Sequence, residues 1–289
     1  MEFSFDSFVH GYFDYDPVSQ THTGLWLHDE NMDIGGGRIT VDNIDRLKDF
    51  PNIDVVTISG LQQDTFEYFI RTYGRQLKAI RFFKNKLVED WSLLGTLPDL
   101  KYVHFFSNQR IEALWDMSGN KSLSGLCIED FSRLRSINGI NTAPVLKEFS
   151  IGNAVWSTMT VDSLMPLENT GIEKFKFYGK TIVENDFSFL ATMNCLKVFD
   201  FPTNMLSTEQ VAWITTNFPH IEGFALKAKH DCNLYDSSMI QVPGTIIVGK
   251  RKPSFIIQGN EKRIEKYVLS FQSLKQKYKN IPYKVAFPD

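Results

Sequence analysis

Eight segments of this chain carry the same apolar signature at an almost constant interval. "IDVVTIS" begins at Ile53, "LKAIRFF" at Leu77, "LKYVHFF" at Leu100 and "LSGLCIE" at Leu123. "LKEFSIG" follows at Leu146, "IEKFKFY" at Ile172, "LKVFDFP" at Leu196 and "IEGFALK" at Ile221. The starts at Leu77, Leu100, Leu123 and Leu146 are 23 residues apart, and the other steps run from 24 to 26. Each segment is apolar at offsets 0, 3 and 5. A unit of this length cannot bury its own apolar face, so stacked neighbours must bury it, and the period predicts an elongated repeat array. Side chains alternate along a strand, so offsets 3 and 5 point into the array while 2, 4 and 6 point to the opposite face.

With the apolar residues in place, the segments resemble the leucine-rich repeat family, whose strand motif is LxxLxLxxNxL. Residues 77–87 fit it throughout, and 196–206 fit with Asn204 in the asparagine position. Residues 100–110 keep Asn108 but carry Arg110 where an apolar residue is expected. The asparagine position elsewhere holds Leu61, Phe131, Ala154, Lys180 and Lys229. The linkers "VEDWSLLGTLPD" and "ENDFSFLATMNC" are similar to the short outer turns of bacterial, internalin-like repeats. The resemblance covers about residues 51–231. It implies an α/β fold: a curved solenoid with a parallel sheet on its concave face. It also implies a non-catalytic role, without cofactor, in which that face binds another protein or a peptide.

The flanks read as caps, which a repeat array needs. Residues 1–50 form an N-terminal capping region, 51–232 the repeats, and 233–289 a C-terminal strand and helix cap. "GLWLH" is a candidate strand, and "TVDNIDRLKDFP" a helix with Thr40 as its N-cap. "QQDTFEYFIRTYG" and "STEQVAWITTNFPH" have helical spacing. "GTIIVGKRKPSFIIQG" reads as two short strands, with the basic "GKRKP" as a solvated turn. Residues 260–280 read as an amphipathic helix capped by Asn260, with Ile264, Tyr267, Val268, Phe271, Leu274 and Tyr278 on one stripe. "IPYKVAF" is expected to close the chain as a strand.

Composition narrows the class. The net charge of −3 gives no general case for nucleic acid or an acidic membrane. It hides an acidic first fifty residues and a basic stretch from 250 to 289, a pattern that suits solubility more readily than docking. Three widely spaced cysteines are no disulfide framework and suit a reducing compartment. The N-terminus lacks a signal-peptide pattern, and no apolar run is long enough to span a bilayer. A cytoplasmic monomer is therefore expected.

Among the outward positions, Arg81, Phe83, Tyr102, His104 and Phe106 fall on two adjacent strands. Exposed rings beside a guanidinium have the composition of a binding hot spot. Glu129, Lys174, Lys176 and Tyr178 extend the expected partner-binding set. The competing expectation is that the N-terminal segment covers Phe83 and Phe106, or that these rings belong to the convex turn. His104 and Cys127 share offset 4 in successive repeats, with Glu129 on the diagonal. A thiol beside an imidazole can serve as nucleophile and base, but an oxyanion site and an orienting group are also required, so no catalytic residue is expected. An accessory subunit or weak hydrolase using this pair or the C-terminal region is the alternative, and self-association through an uncapped end is a third. His10, His22 and His28 lack metal-ligand spacing, so no metal is expected there. The glycine run in "DIGGGRI" lacks a phosphate-binding pattern and reads as a loop.

Overall fold

The computed structural model describes residues 4–10, 24–29, 37–156 and 158–288. His22 and the glycines at 35 and 36 lie outside the described residues. The chain divides into two compact units, residues 1–174 with 179–195 and residues 175–178 with 196–289. Among the described residues the architecture is mixed α/β, with one sheet of eight strands, one antiparallel sheet of three and one pair of short strands.

The first unit opens with helix α1 (Phe5–Val9), strand β1 (Leu25–Leu27) and helix α2 (Val41–Asp45). Strand β2 (Val55–Ser59), helix α3 (Gln63–Tyr73) and strand β3 (Ala79–Phe83) come next. Strands β4 (Tyr102–Asn108), β5 (Gly125–Phe131) and β6 (Glu148–Gly152) then arrive at the repeat interval. Strands β1 to β6 are neighbours in chain order, and the five pairings that join them are parallel. The short β7 (Thr160–Val161) pairs with β9 (Thr181–Ile182), while β8 (Lys174–Tyr178) and β10 (Val198–Asp200) belong to the larger sheet. Thr40 caps α2 as expected, its hydroxyl accepting from the Asn43 N–H.

Burial follows the offsets. Val56, Ile58, Ile80, Phe82, Val103, Phe105, Leu126, Ile128, Phe149 and Ile151 are all buried. Rings dominate the middle of this core: Phe105 stacks on Phe82 with centroids 5.0 Å apart and meets Trp91, Trp115 and Phe131 edge-on. The strands then share one backbone device. Gly60, Lys84, Ser107 and Asp130, each at offset 7, have φ of 79°, 55°, 62° and 57°. A left-handed residue here breaks the alternation, so that offset 8 turns inward: Leu61, Asn85, Asn108 and Phe131 are all buried.

Asn85 and Asn108 use that position to satisfy backbone groups. The Asn85 amide donates to Ile58 O and its carbonyl accepts from the Leu61 N–H. Asn108 donates to Asn85 O and Val88 O and accepts from the N–H groups of Arg110 and Ile111. Asn204, equivalent in sequence, is exposed.

The second unit contains helix α4 (Thr208–Asn217), the antiparallel strands β11 (Lys229–Tyr235), β12 (Gln241–Ile247) and β13 (Ser254–Ile256), and helix α5 (Glu261–Tyr278). Ile264, Phe271 and Tyr278 form the buried stripe of α5. Three expectations are corrected. The segment at Ile221 forms only an isolated bridge, between Glu222 and Val198, because its ring at offset 3, Phe224, is exposed and stacks on His230. The Asn260 side chain bonds Ile256 O instead of capping α5. "IPYKVAF" contains a short helix, α6 (Tyr283–Ala286), whose Tyr283 is buried and accepts at its hydroxyl from the Gln210 amide. Pro282 stands at its N-cap, where its missing N–H costs nothing.

Candidate binding face

The outward face of β2 to β5 is organised as three rungs by the parallel register. Offset 2 aligns Val55, Ala79, Tyr102 and Gly125. Offset 4 aligns Thr57, Arg81, His104 and Cys127, with Trp26 of β1 beside Thr57. Offset 6 aligns Ser59, Phe83, Phe106 and Glu129.

Helix α1 covers the first rung. Ser4 and Ser7 form a capping box that starts it, and Phe5 and Phe8, three residues apart, share one face. Both rings are buried against Val55, Ala79, Tyr102 and Cys127. Gly125 makes the space: a Cβ there would lie 2.3 Å from the Phe5 ring. Replacing Gly125 with Leu is therefore expected to lift α1 from the sheet without unfolding the strands beneath. In a Cys195→Ser/Cys232→Ser background, the reaction of Cys127 with a disulfide reagent should accelerate by at least about tenfold, the signature of a lost local closure of about 1.4 kcal/mol. An unchanged rate would mean that α1 does not shield this thiol.

The second rung is polar and enclosed. His104 and Cys127 are each 1% exposed. The His104 Nε2 lies 2.8 Å from a Glu129 carboxylate oxygen, while its Nδ1 has no hydrogen-bond partner among the described residues. Burial lowers the proton affinity of His104, against the opposing pull of Glu129, so the ring is held toward its neutral form. Burial also lowers that of Arg81, with Glu129 and then Cys127 opposing. The Arg81 Nε is buried and without a partner among the described residues. His104, Cys127 and Glu129 each offer a ligand atom, all within 4.8 Å of one another, and are the residues here that could hold a metal.

The third rung is a row of rings. Phe83 and Phe106 stack with centroids 5.1 Å apart and planes 17° from parallel. Trp26 meets Phe83 edge-on at 5.8 Å, and Trp156 stacks on Phe106 at 6.3 Å. The inner rings are half-buried, whereas Trp26 and Trp156 are 51% and 47% exposed. Trp156 is positioned by Asp130, whose buried carboxylate accepts the N–H groups of Ala154, Val155 and Trp156 at 2.8–3.2 Å. Two cations border the row: Lys84 Nζ is 5.2 Å and the Arg81 guanidinium 6.0 Å from the Phe83 centroid.

The structure thus brings together Arg81, Phe83, Tyr102, His104, Phe106 and Glu129, but with different access. Tyr102 and His104 lie beneath α1, while Phe83 and Phe106 remain at the surface. Lys174, Lys176 and Tyr178 are carried by β8, and none of the ring contacts that build the row involves Tyr178 among the described residues. Sequence reasoning missed Trp26, Trp156 and α1. The one available signal for α1 was Ser4 followed by Phe5 and Phe8 at helical spacing.

No protein-family model matches the chain, and no curated protein matches it. Among the described residues no helix is long and apolar enough to cross a membrane.

Proposed function

We propose that the protein is a non-catalytic scaffold of the leucine-rich repeat type, a solenoid with capped ends, that binds a segment of another protein along the row Trp26–Phe83–Phe106–Trp156. The observation that carries this reading is two half-exposed tryptophans held at the ends of a four-ring row. Large apolar rings in water are costly, and tryptophan and arginine are the residue types that dominate interface energetics. Aromatic side chains have few rotatable bonds, so little side-chain entropy is lost when they are immobilised on binding. Arg81 and Lys84 beside Phe83 suit a segment that presents a carboxylate next to its apolar residues. The first rung supports the same reading, since it already holds a short helix of this chain through two phenylalanines.

The test is affinity capture from the lysate of the source cells, with wild type beside a Trp26→Ala/Trp156→Ala variant of unchanged circular dichroism. A protein retained by wild type and lost by the variant is expected. Equal retention by both would remove the row from the interface.

A further inference from the structure

We propose that His104, Cys127 and Glu129 form a site for a divalent transition metal, with Zn²⁺ as the occupant that the donor set favours. The site lies on β4 and β5 beneath helix α1 and does not depend on the partner-binding reading.

The parallel register makes the cluster. His104 and Cys127 are lateral partners on adjacent strands, and Glu129, two residues beyond Cys127, points to the same face. Together they offer one imidazole nitrogen, one sulfur and one carboxylate oxygen, all within 4.8 Å of one another. Zinc takes nitrogen and oxygen at about 2.0–2.2 Å and sulfur at about 2.3 Å in a tetrahedral arrangement. Those bonds place the donor atoms about 3.3–3.6 Å apart. The Nε2 to carboxylate distance of 2.8 Å would therefore open slightly, and the widest separation would close by about 1 Å, a change side-chain rotation supplies. Three protein ligands leave a fourth position for water or an exogenous ligand.

The His104 imidazole is buried with Nε2 turned toward Glu129, so a metal would engage Nε2 and take the place of that hydrogen bond. A thiolate and a carboxylate bring two negative charges that one divalent ion balances. The mixed nitrogen, sulfur and oxygen set selects zinc or its mimic Co²⁺ over magnesium or calcium, which take oxygen.

The test uses Co²⁺ as a spectroscopic probe. The full-length chain is unfolded in urea and refolded with Co²⁺ under a phosphine reductant, so that helix α1 cannot block entry. The expected result is a thiolate-to-cobalt charge-transfer band in the near ultraviolet that saturates at one equivalent and is abolished by Zn²⁺. A Cys195→Ser/Cys232→Ser variant should keep the band in full, and Cys127→Ser should lose it while retaining the wild-type circular dichroism. Glu129→Gln, which preserves shape, should weaken Co²⁺ binding by at least about tenfold. The proposal is overturned if the refolded wild type shows no such band, if the band survives in Cys127→Ser, or if it follows Cys195 or Cys232 instead.

Discussion

Replacing Phe105 with Ala is expected to lower the free energy of unfolding by about 3–5 kcal/mol. Phe105 is 1% exposed and lies at offset 5 of β4, in the middle of the core. It stacks on Phe82 and is met by Trp91, Trp115 and Phe131 at centroid distances of 4.9–5.9 Å. Those neighbours are planar rings pinned by their own contacts, so they cannot collapse into the space left by a deleted ring. The cavity cost then adds to the lost transfer energy. Phe105→Leu keeps most of the volume and should cost less, about 1–2 kcal/mol. Urea denaturation read by far-ultraviolet circular dichroism checks both, with the midpoint falling in that order and the slope unchanged. Equal losses for Ala and Leu would mean that ring contacts, rather than filled volume, set the stability of this region.

The second large effect is expected at Asn108. Leu has nearly the shape of Asn but none of its hydrogen bonds. Asn108→Leu would strand four backbone groups: Asn85 O and Val88 O lose a donor, while the N–H groups of Arg110 and Ile111 lose an acceptor. The side chain is 2% exposed, so water reaches them only if the turn opens. At about 1–3 kcal/mol for each buried polar group left unpaired, a loss of about 4 kcal/mol is expected after partial relaxation. Asn204→Leu is the matched control. It occupies the same motif position but is exposed, so its effect should stay within about 0.5 kcal/mol. Similar losses at both positions, measured by urea denaturation, would contradict this account.

That contrast shows what could be read from the sequence. The seven segments from Val55 to Asp200 that form strands were legible because inward offsets repeat, and burial depends on that local alternation. Helices α3, α4 and α5 were legible for the corresponding reason at helical period. Asn108 and Asn204 could not be told apart, since the difference is whether the following chain packs over the side chain. The strand expected at Ile221 failed on one ring, because Phe224 turns out to stack on His230 and leaves offset 3 without its inward anchor. The outward face was legible as positions but not as access. A helix of five residues is too short to announce itself by periodicity, and α1 exists because two phenylalanines dock over Ala79 and Gly125. Trp26 and Trp156 lie outside the repeat interval of the sequence, and the carboxylate of Asp130, distant in sequence, helps hold the turn that carries Trp156 over Phe106.

Calorimetric titration of the captured partner tests the proposed interface at the ring row. Wild type would be compared with Trp26→Ala/Trp156→Ala and with Phe224→Ala, which removes an equally exposed ring from the other compact unit. Hot-spot tryptophans are each worth about 2 kcal/mol or more, so the double variant should bind at least about a hundredfold more weakly. The Phe224→Ala protein should bind as wild type does. Undiminished affinity in the tryptophan variant, or a loss confined to Phe224→Ala, would contradict the assignment and move the interface off this face.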